Sequence, residues 1–188
     1  MKTPAIARIG PVGVANPSNV PIRHAQIEDL AQIVAIYNSA IPGRMATADT
    51  RPVTVASRRP WFDEFDPARR PLWVHATGRH VEGWLSLRSF YGRPAYAATV
   101  ETGVYVAPAA QRRGVGRALL EHAIAAAPAL RVRTMLAFVF AHNEASIALF
   151  ERHGFVPWGR LPAVAELDGI ERDLAILGLR VAAKGRSA

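Results

Sequence analysis

The sequence has no cysteine. That single absence excludes a disulfide framework, a thiolate metal site and a cysteine nucleophile. Lysine is almost missing as well. Lys2 and Lys184 are the only two, so arginine carries the excess of 23 basic over 15 acidic residues. The resulting formal charge of +8 favours anionic partners. Yet the basic residues come in pairs at most (Arg58-Arg59, Arg69-Arg70, Arg112-Arg113), and no block of like charge or aromatic-basic interleaving marks a nucleic-acid binder. Long hydrophobic runs are also lacking. The longest, Ala123 to Leu130 and Leu136 to Ala141, fall far short of the roughly 20 residues of a membrane span. Arg8, Gly10 and Pro11 interrupt any signal-like run near the start, so a cytoplasmic location is expected. The six histidines show no His-x-x-x-His spacing, and no metal is expected.

What remains is an ordinary globular balance in 188 residues, half of them hydrophobic, enough for one enclosed core. Residues 1–19, rich in Pro, Gly, Ala and Val, read as an extended leader, and residues 20–188 as a single domain. Hydrophobic periodicity predicts a strand at Val20 to His24, a helix at Glu28 to Ser39, and a weaker helix at Val55 to Phe65 that contains Pro60. A hairpin follows, Leu72 to Thr77 and Val81 to Phe90, with Val81, Gly83, Leu85 and Leu87 on one face. Tyr96 to Val106 is the next strand, with Val100, Thr102, Val104 and Val106 on one side and Glu101, Gly103 and Tyr105 on the other. Then come a helix at Gly114 to Ala127, an apolar and central strand at Thr134 to Phe140, and a short helix at Ala145 to Arg152. Two last strands, Phe155 to Leu161 and Arg172 to Leu179, join through Asp168-Gly169. The class is mixed α/β.

One segment carries chemistry. The strand ending Val104-Tyr105-Val106 runs into Gln111-Arg112-Arg113-Gly114-Val115-Gly116-Arg117, which opens a helix. Glycines let a ligand approach the backbone, and free amides at a helix start favour phosphate. No lysine completes a P-loop, and no third glycine completes a dinucleotide fingerprint.

This loop resembles the pyrophosphate loop, Gln/Arg-x-x-Gly-x-Gly/Ala, of the GNAT superfamily of acyl-CoA-dependent N-acetyltransferases. Downstream, Asn143 to Phe155 resembles the same family's Asn-x-x-Ser…Leu-Tyr-Glu-x-x-Gly-Phe stretch. Thr99-Val100-Glu101-Thr102-Gly103-Val104-Tyr105-Val106 is similar to the corresponding strand of the phosphinothricin and methionine-sulfoximine acetyltransferase group. The resemblance implies the GNAT fold, a mixed and mostly antiparallel sheet flanked by helices, with its fourth and fifth strands splayed apart. It implies acetyl-CoA as co-substrate and a small amino-acid-like amine as acceptor. Val104, Tyr105 and Val106 would line the pantetheine arm, with backbone groups of Val104 and Val106 bonding it. Arg112, Arg113, Gly114, Val115, Gly116 and Arg117 would hold the pyrophosphate, and Asn143 would bind the arm from the far side. Glu101 maps onto the group's catalytic base, and Arg93 and Tyr96 onto its substrate side. The group's homodimer is expected here too, with Leu174 to Leu179 as a contributing strand.

Plainer readings stand beside these. Asn143 suits a helix cap, Glu101 a solvent-facing strand carboxylate, and Arg93 a surface turn. Trp61, Trp73, Trp84 and Trp158 read as core or interface aromatics. A peptide N-terminal acetyltransferase and a non-catalytic acyl-CoA-binding module are the alternative functions. Phe150 stands where many GNAT members, though not the phosphinothricin group, have a thiolate-protonating tyrosine. Two loops depart from the group's pattern: Ala48 stands where close relatives have phenylalanine and Arg44 is new in the same loop, and Gly169 to Asp173 keeps their glycine and aspartate but lacks their tryptophan.

Overall fold

The computed structural model describes residues 22–181. The leader at 1–19 and the first residues of the expected domain lie outside the described residues. The elements run β1 (Ile22–His24), α1 (Leu30–Ala40), α2 (Val55–Asp63), β2 (Leu72–Thr77), β3 (His80–Ser89), β4 (Thr99–Val106), α3 (Val115–Ala126), β5 (Thr134–Phe140), α4 (Glu144–Glu151), β6 (Val156–Leu167) and β7 (Ile170–Arg180). The strands form one seven-stranded sheet in the order β1-β2-β3-β4-β5-β7-β6. Among the described residues only the β4–β5 pair is parallel. The expected element order and the mixed α/β class are both present. Among the described residues no helix is long and apolar enough to cross a membrane.

One face of the sheet packs on α3, with Leu85, Leu87, Val100, Leu119, Leu120 and Met135 fully buried. The other packs on α1 through Ile33, Ile36, Val74, Val81 and Trp84. Val81 therefore does not share a face with Gly83, Leu85 and Leu87 as its spacing predicts. The register jumps from His75↔Gly83 to Ala76↔Val81, leaving Glu82 as a bulge that reverses the alternation. Gly83 is required where it stands. A Cβ there would lie 2.8 Å from the Val115 side chain and 3.0 Å from the Tyr105 carbonyl oxygen, so glycine lets α3 settle directly on the sheet.

Two strand limits differ from the sequence pattern. β4 begins at Thr99 because Pro94 starts a 3-10 turn at Pro94–Tyr96, for which its fixed φ and missing N–H suit it. β6 is longer than expected and carries two register shifts, between Pro157 and Gly159 and between Leu161 and Ala165. β7, which contains Leu174 to Leu179, is paired on both sides, so the sheet edge at this end of the described residues is β6. Pro60 lies inside α2 and breaks its apolar pattern, but Thr54 caps that helix by accepting from the Ser57 N–H at 3.0 Å. The α1 entrance is pinned by buried Asp29. Its carboxylate accepts from the Arg23 fork at 2.6 and 2.8 Å and from the Gln26 N–H at 2.7 Å.

Candidate active site

β4 and β5 pair only from Thr99↔Thr134 to Glu101↔Leu136 and then diverge. Beyond Glu101 a gap opens through the sheet, in agreement with the expected splay. The β4 backbone sorts itself around this gap. Phe90 donates to the Thr99 carbonyl and Ala107 donates to the Glu82 carbonyl, so odd-numbered residues turn their amides and carbonyls toward β3. By alternation Thr102, Val104 and Val106 turn theirs into the gap, where β5 no longer meets them. The backbone groups of Val104 and Val106, expected to bond the arm, face the gap. Tyr105 lines the seam cavity with its side chain, but its backbone faces away from the gap. Its backbone belongs to the β3 ladder, and its hydroxyl donates to the Ala46 carbonyl at 3.0 Å on the opposite face.

Two cavities meet at the gap. The seam cavity, about 440 Å³, lies between β4 and β5 and is walled by Val104, Val139, Phe140, Asn143, Ser146 and Phe150, with Met45 to Ala48 across its mouth. The second cavity, about 230 Å³, lies on the α1–α2 side. Glu101, Arg58, Arg88, Tyr37, Trp61 and Trp84 form most of its wall. Thr102, Gly103, Tyr105 and Phe138 line both, so the two spaces adjoin. Thr102 Oγ1 is buried at this shared wall with no hydrogen-bond partner among the described residues. A buried hydroxyl without a partner costs stability unless a ligand completes it.

Glu101 is half-buried. Desolvation pushes its carboxyl above the usual glutamate range, and Arg88, opposite it across the β3–β4 ladder, pulls part of the way back. A carboxylate poised in that way can take a proton near neutral pH.

The Arg/Gly loop sits at the start of α3. Gly114 is the helix N-cap at φ +86°, a left-handed conformation that disfavours side chains, and the space beside it is open. Val115 is buried and anchors the helix in the core, which fixes the direction of the free N-terminal amides. Arg112, Arg113 and Arg117 are all exposed. Arg113 lies 3.5 Å from buried Glu82, itself 3.0 Å from His75, and Arg117 lies 3.7 Å from Glu121.

Asn143 is committed to the protein. Its Oδ1 accepts from the Ser146 N–H at 3.1 Å, capping α4, and its Nδ2 donates to the Met45 carbonyl at 2.8 Å. The capping role describes its side chain, although it also walls the seam cavity. The same loop is held by His142 Nε2 on the Arg44 carbonyl at 2.9 Å and by the Arg44–Asp168 fork at 2.8 and 2.9 Å. Arg93 and Tyr96 line neither cavity. They lie exposed in the turn before β4, where Tyr96 packs on Phe90. Arg58, Arg88, Tyr37, Trp61 and Trp84 are the site residues that the sequence did not reveal. Trp61 and Trp84 are cavity walls as well as packing aromatics.

Several known proteins are similar to this chain. The profile of the Acetyltransferase (GNAT) family matches residues 33–155. YwnH of Bacillus subtilis, provisionally named a phosphinothricin acetyltransferase, is 48% identical over 158 residues, covering 84% of this chain and 96% of that protein. An L-methionine sulfoximine/L-methionine sulfone acetyltransferase of Pseudomonas aeruginosa is 34% identical, covering 85% and 94%. The crystal structure of a GNAT superfamily phosphinothricin acetyltransferase of Sinorhizobium meliloti, in complex with AcCoA, superposes with a TM-score of 0.81. It is 28% identical, with 89% of this chain and 90% of that chain covered.

Proposed function

The chain belongs to the GNAT acetyltransferase family, and on that premise we propose that it transfers an acetyl group from acetyl-CoA to the primary amine of a small amino-acid-like acceptor. The observation that carries this reading is the junction of two cavities at the β4–β5 gap, with a half-buried carboxylate beside it.

The residues present fit the co-substrate. The unpaired backbone groups of Thr102, Val104 and Val106 suit an amide-bearing pantetheine arm, and the partnerless Thr102 hydroxyl offers one more bond. Open space at Gly114, the free α3 amides and three exposed arginines suit a pyrophosphate. Acetyl-CoA supplies an activated thioester. The acceptor occupies the smaller cavity, where Glu101 receives the proton that an ammonium group must lose before it becomes nucleophilic. No covalent intermediate on the protein is needed. Phe150, buried in the seam wall, has no proton to give, so water or another group must protonate the departing sulfur.

The reading includes a two-fold homodimer. Support comes from β6, an exposed edge strand with Val156, Trp158, Leu161 and Val164 all open to solvent. Light scattering at micromolar concentration should give twice the chain mass, and a monomer would remove the dimer from the proposal.

The test of function is direct. Acetyl-CoA should raise the melting temperature of the protein, because it binds the folded state alone. Gly114→Val should abolish that shift by filling the open space and straining the left-handed cap. Thiol release from acetyl-CoA should require an amine. Binding without turnover on any of a panel of amino acids, sulfoximines, polyamines and peptides would sink the enzymatic reading.

A further inference from the structure

Glu82, the residue at which β3 bulges against β2, carries a buried carboxylate. Burying a carboxylate costs stability unless other polar groups answer it. Its two oxygens meet different elements. Oε2 faces β2, where Thr77 Oγ1 donates to it at 3.4 Å and His75 Nδ1 lies 3.0 Å away, off the line of a hydrogen bond. Oε1 faces the Arg/Gly loop, 3.5 Å from Arg113 Nη1.

The backbone of Glu82 holds the other end of the same loop. Its carbonyl accepts from the Ala107 N–H at 2.9 Å, just where β4 stops. One residue of β3 therefore touches both ends of the stretch 107–113, and its neighbour Gly83 admits Val115 of α3 to the sheet. The arginines of the loop differ in what they meet. Arg117 has Glu121 one turn further along its own helix, with both side chains exposed. Arg113 instead reaches a buried acid on a different element. A guanidinium has five N–H donors, so a contact through one nitrogen leaves the others free for an anion. Tethered in this way, the side chain has less rotamer freedom to lose when the anion arrives.

Resting on the function proposed above, we infer that Glu82 is a positioning residue for the co-substrate: it holds Arg113 where the pyrophosphate of acetyl-CoA arrives, and it raises affinity through that arginine. A bare negative charge near a phosphate would weaken binding. Here Arg113 is the exposed member of the pair and Glu82 the buried one, so an anion coming from solvent meets the cation first. The second oxygen of the acid is turned away to Thr77 and His75.

The test is a double-mutant cycle on acetyl-CoA binding, read by isothermal calorimetry in wild type, Glu82→Gln, Arg113→Met and the double variant. Glu82→Gln keeps the size of the side chain and removes its charge. It should weaken binding by about 2- to 10-fold, the range for immobilising one long side chain. Arg113→Met should weaken it at least as much, and the double variant should match Arg113→Met alone. A merely structural role for Glu82 would instead give the same loss in both backgrounds, and that result overturns the inference. Unchanged or tighter binding by Glu82→Gln overturns it, and so does unchanged binding by Arg113→Met. If Glu82→Gln does not fold, Glu82→Ala, which removes the acid with its stem, takes its place in the cycle. Failure of both to fold would assign Glu82 to the core and overturn the inference too. Absence of acetyl-CoA binding by wild type instead refutes the proposed function.

Discussion

Glu101→Gln changes one property of the site while keeping its shape. The amide fills the same volume on β4 but has no usable proton affinity and no charge. Two consequences of opposite sign follow from the environment of this carboxylate. The first is catalytic. Loss of a positioned base costs about 100-fold in kcat/KM, or about 2.7 kcal/mol of activation free energy at about 1.36 kcal/mol per decade. The wild-type rate should rise with pH along a limb lying above the ordinary glutamate range, since burial raises the Glu101 carboxyl and Arg88 only partly offsets it. That limb should vanish in the variant. The deficit should narrow at high pH, where free amine is abundant. The second consequence concerns stability. A carboxyl whose folded pKa lies above its unfolded value contributes stability below the unfolded pKa and loses it as pH rises through the folded one. Ionised Glu101 is therefore a small liability at neutral pH, and the glutamine variant should melt no lower than wild type there. Single-turnover thiol release and thermal unfolding across pH check both. A variant that reacts at the wild-type rate near neutral pH, with chemistry limiting, would falsify the assignment of the base. A fall in melting temperature alongside the rate would trace the loss to folding instead.

Gly83→Ala should destabilise by about 1–3 kcal/mol, the usual range for overpacking, because the new methyl would meet the Tyr105 carbonyl and two α3 side chains; chemical denaturation reads this directly. Thr102→Val should raise the melting temperature of the free protein, by about 1 kcal/mol of stability, because it removes a buried hydroxyl that has no partner. Its affinity for acetyl-CoA, measured by isothermal calorimetry, should fall, and unchanged affinity would detach Thr102 from the cofactor site. Burial alone would raise the Asp29 carboxyl, but bonds from Arg23 and the Gln26 N–H outweigh it and hold it below the usual aspartate range. The stability it supplies is complete above the ordinary aspartate pKa and is lost as pH falls through the depressed one. Asp29→Ala should lower stability at neutral pH and flatten the acid side of the unfolding profile.

Much of this site is legible in a few residues of sequence. The alternation Val100-Glu101-Thr102-Gly103-Val104-Tyr105-Val106 assigns faces correctly because β4 carries no bulge against β3. The same rule fails for Val81, because the Glu82 bulge is a property of two strands in register, which no single strand's pattern encodes. The Arg/Gly loop is readable as an open helix start because its glycines and the residues that begin α3 are contiguous in sequence. The smaller cavity is not contiguous in sequence. Arg58 comes from α2, Arg88 from β3 and Glu101 from β4, and only the tertiary fold brings them together. Arg93 is near Glu101 in sequence, but the turn begun by Pro94 leaves it on the outer surface. Asn143 caps α4 and also walls the seam cavity, two placements that one loop residue can combine.

The short parallel contact between β4 and β5 also has a meaning in time. Three residue pairs join the β1–β4 half of the sheet to the β5–β7 half along this seam. Opening that seam without ligand breaks few backbone bonds, so it is a natural boundary between cooperative unfolding units. The amides of Val104 and Val106 should exchange with solvent deuterium quickly in the free protein, while their neighbours Gly103 and Tyr105, locked to β3, exchange slowly. A molecule lodged in the seam supplies the missing rungs of the ladder and joins the two halves into one unit. Turnover would then carry a mechanical rhythm, with the sheet stiffening as each acyl carrier enters and loosening as it leaves.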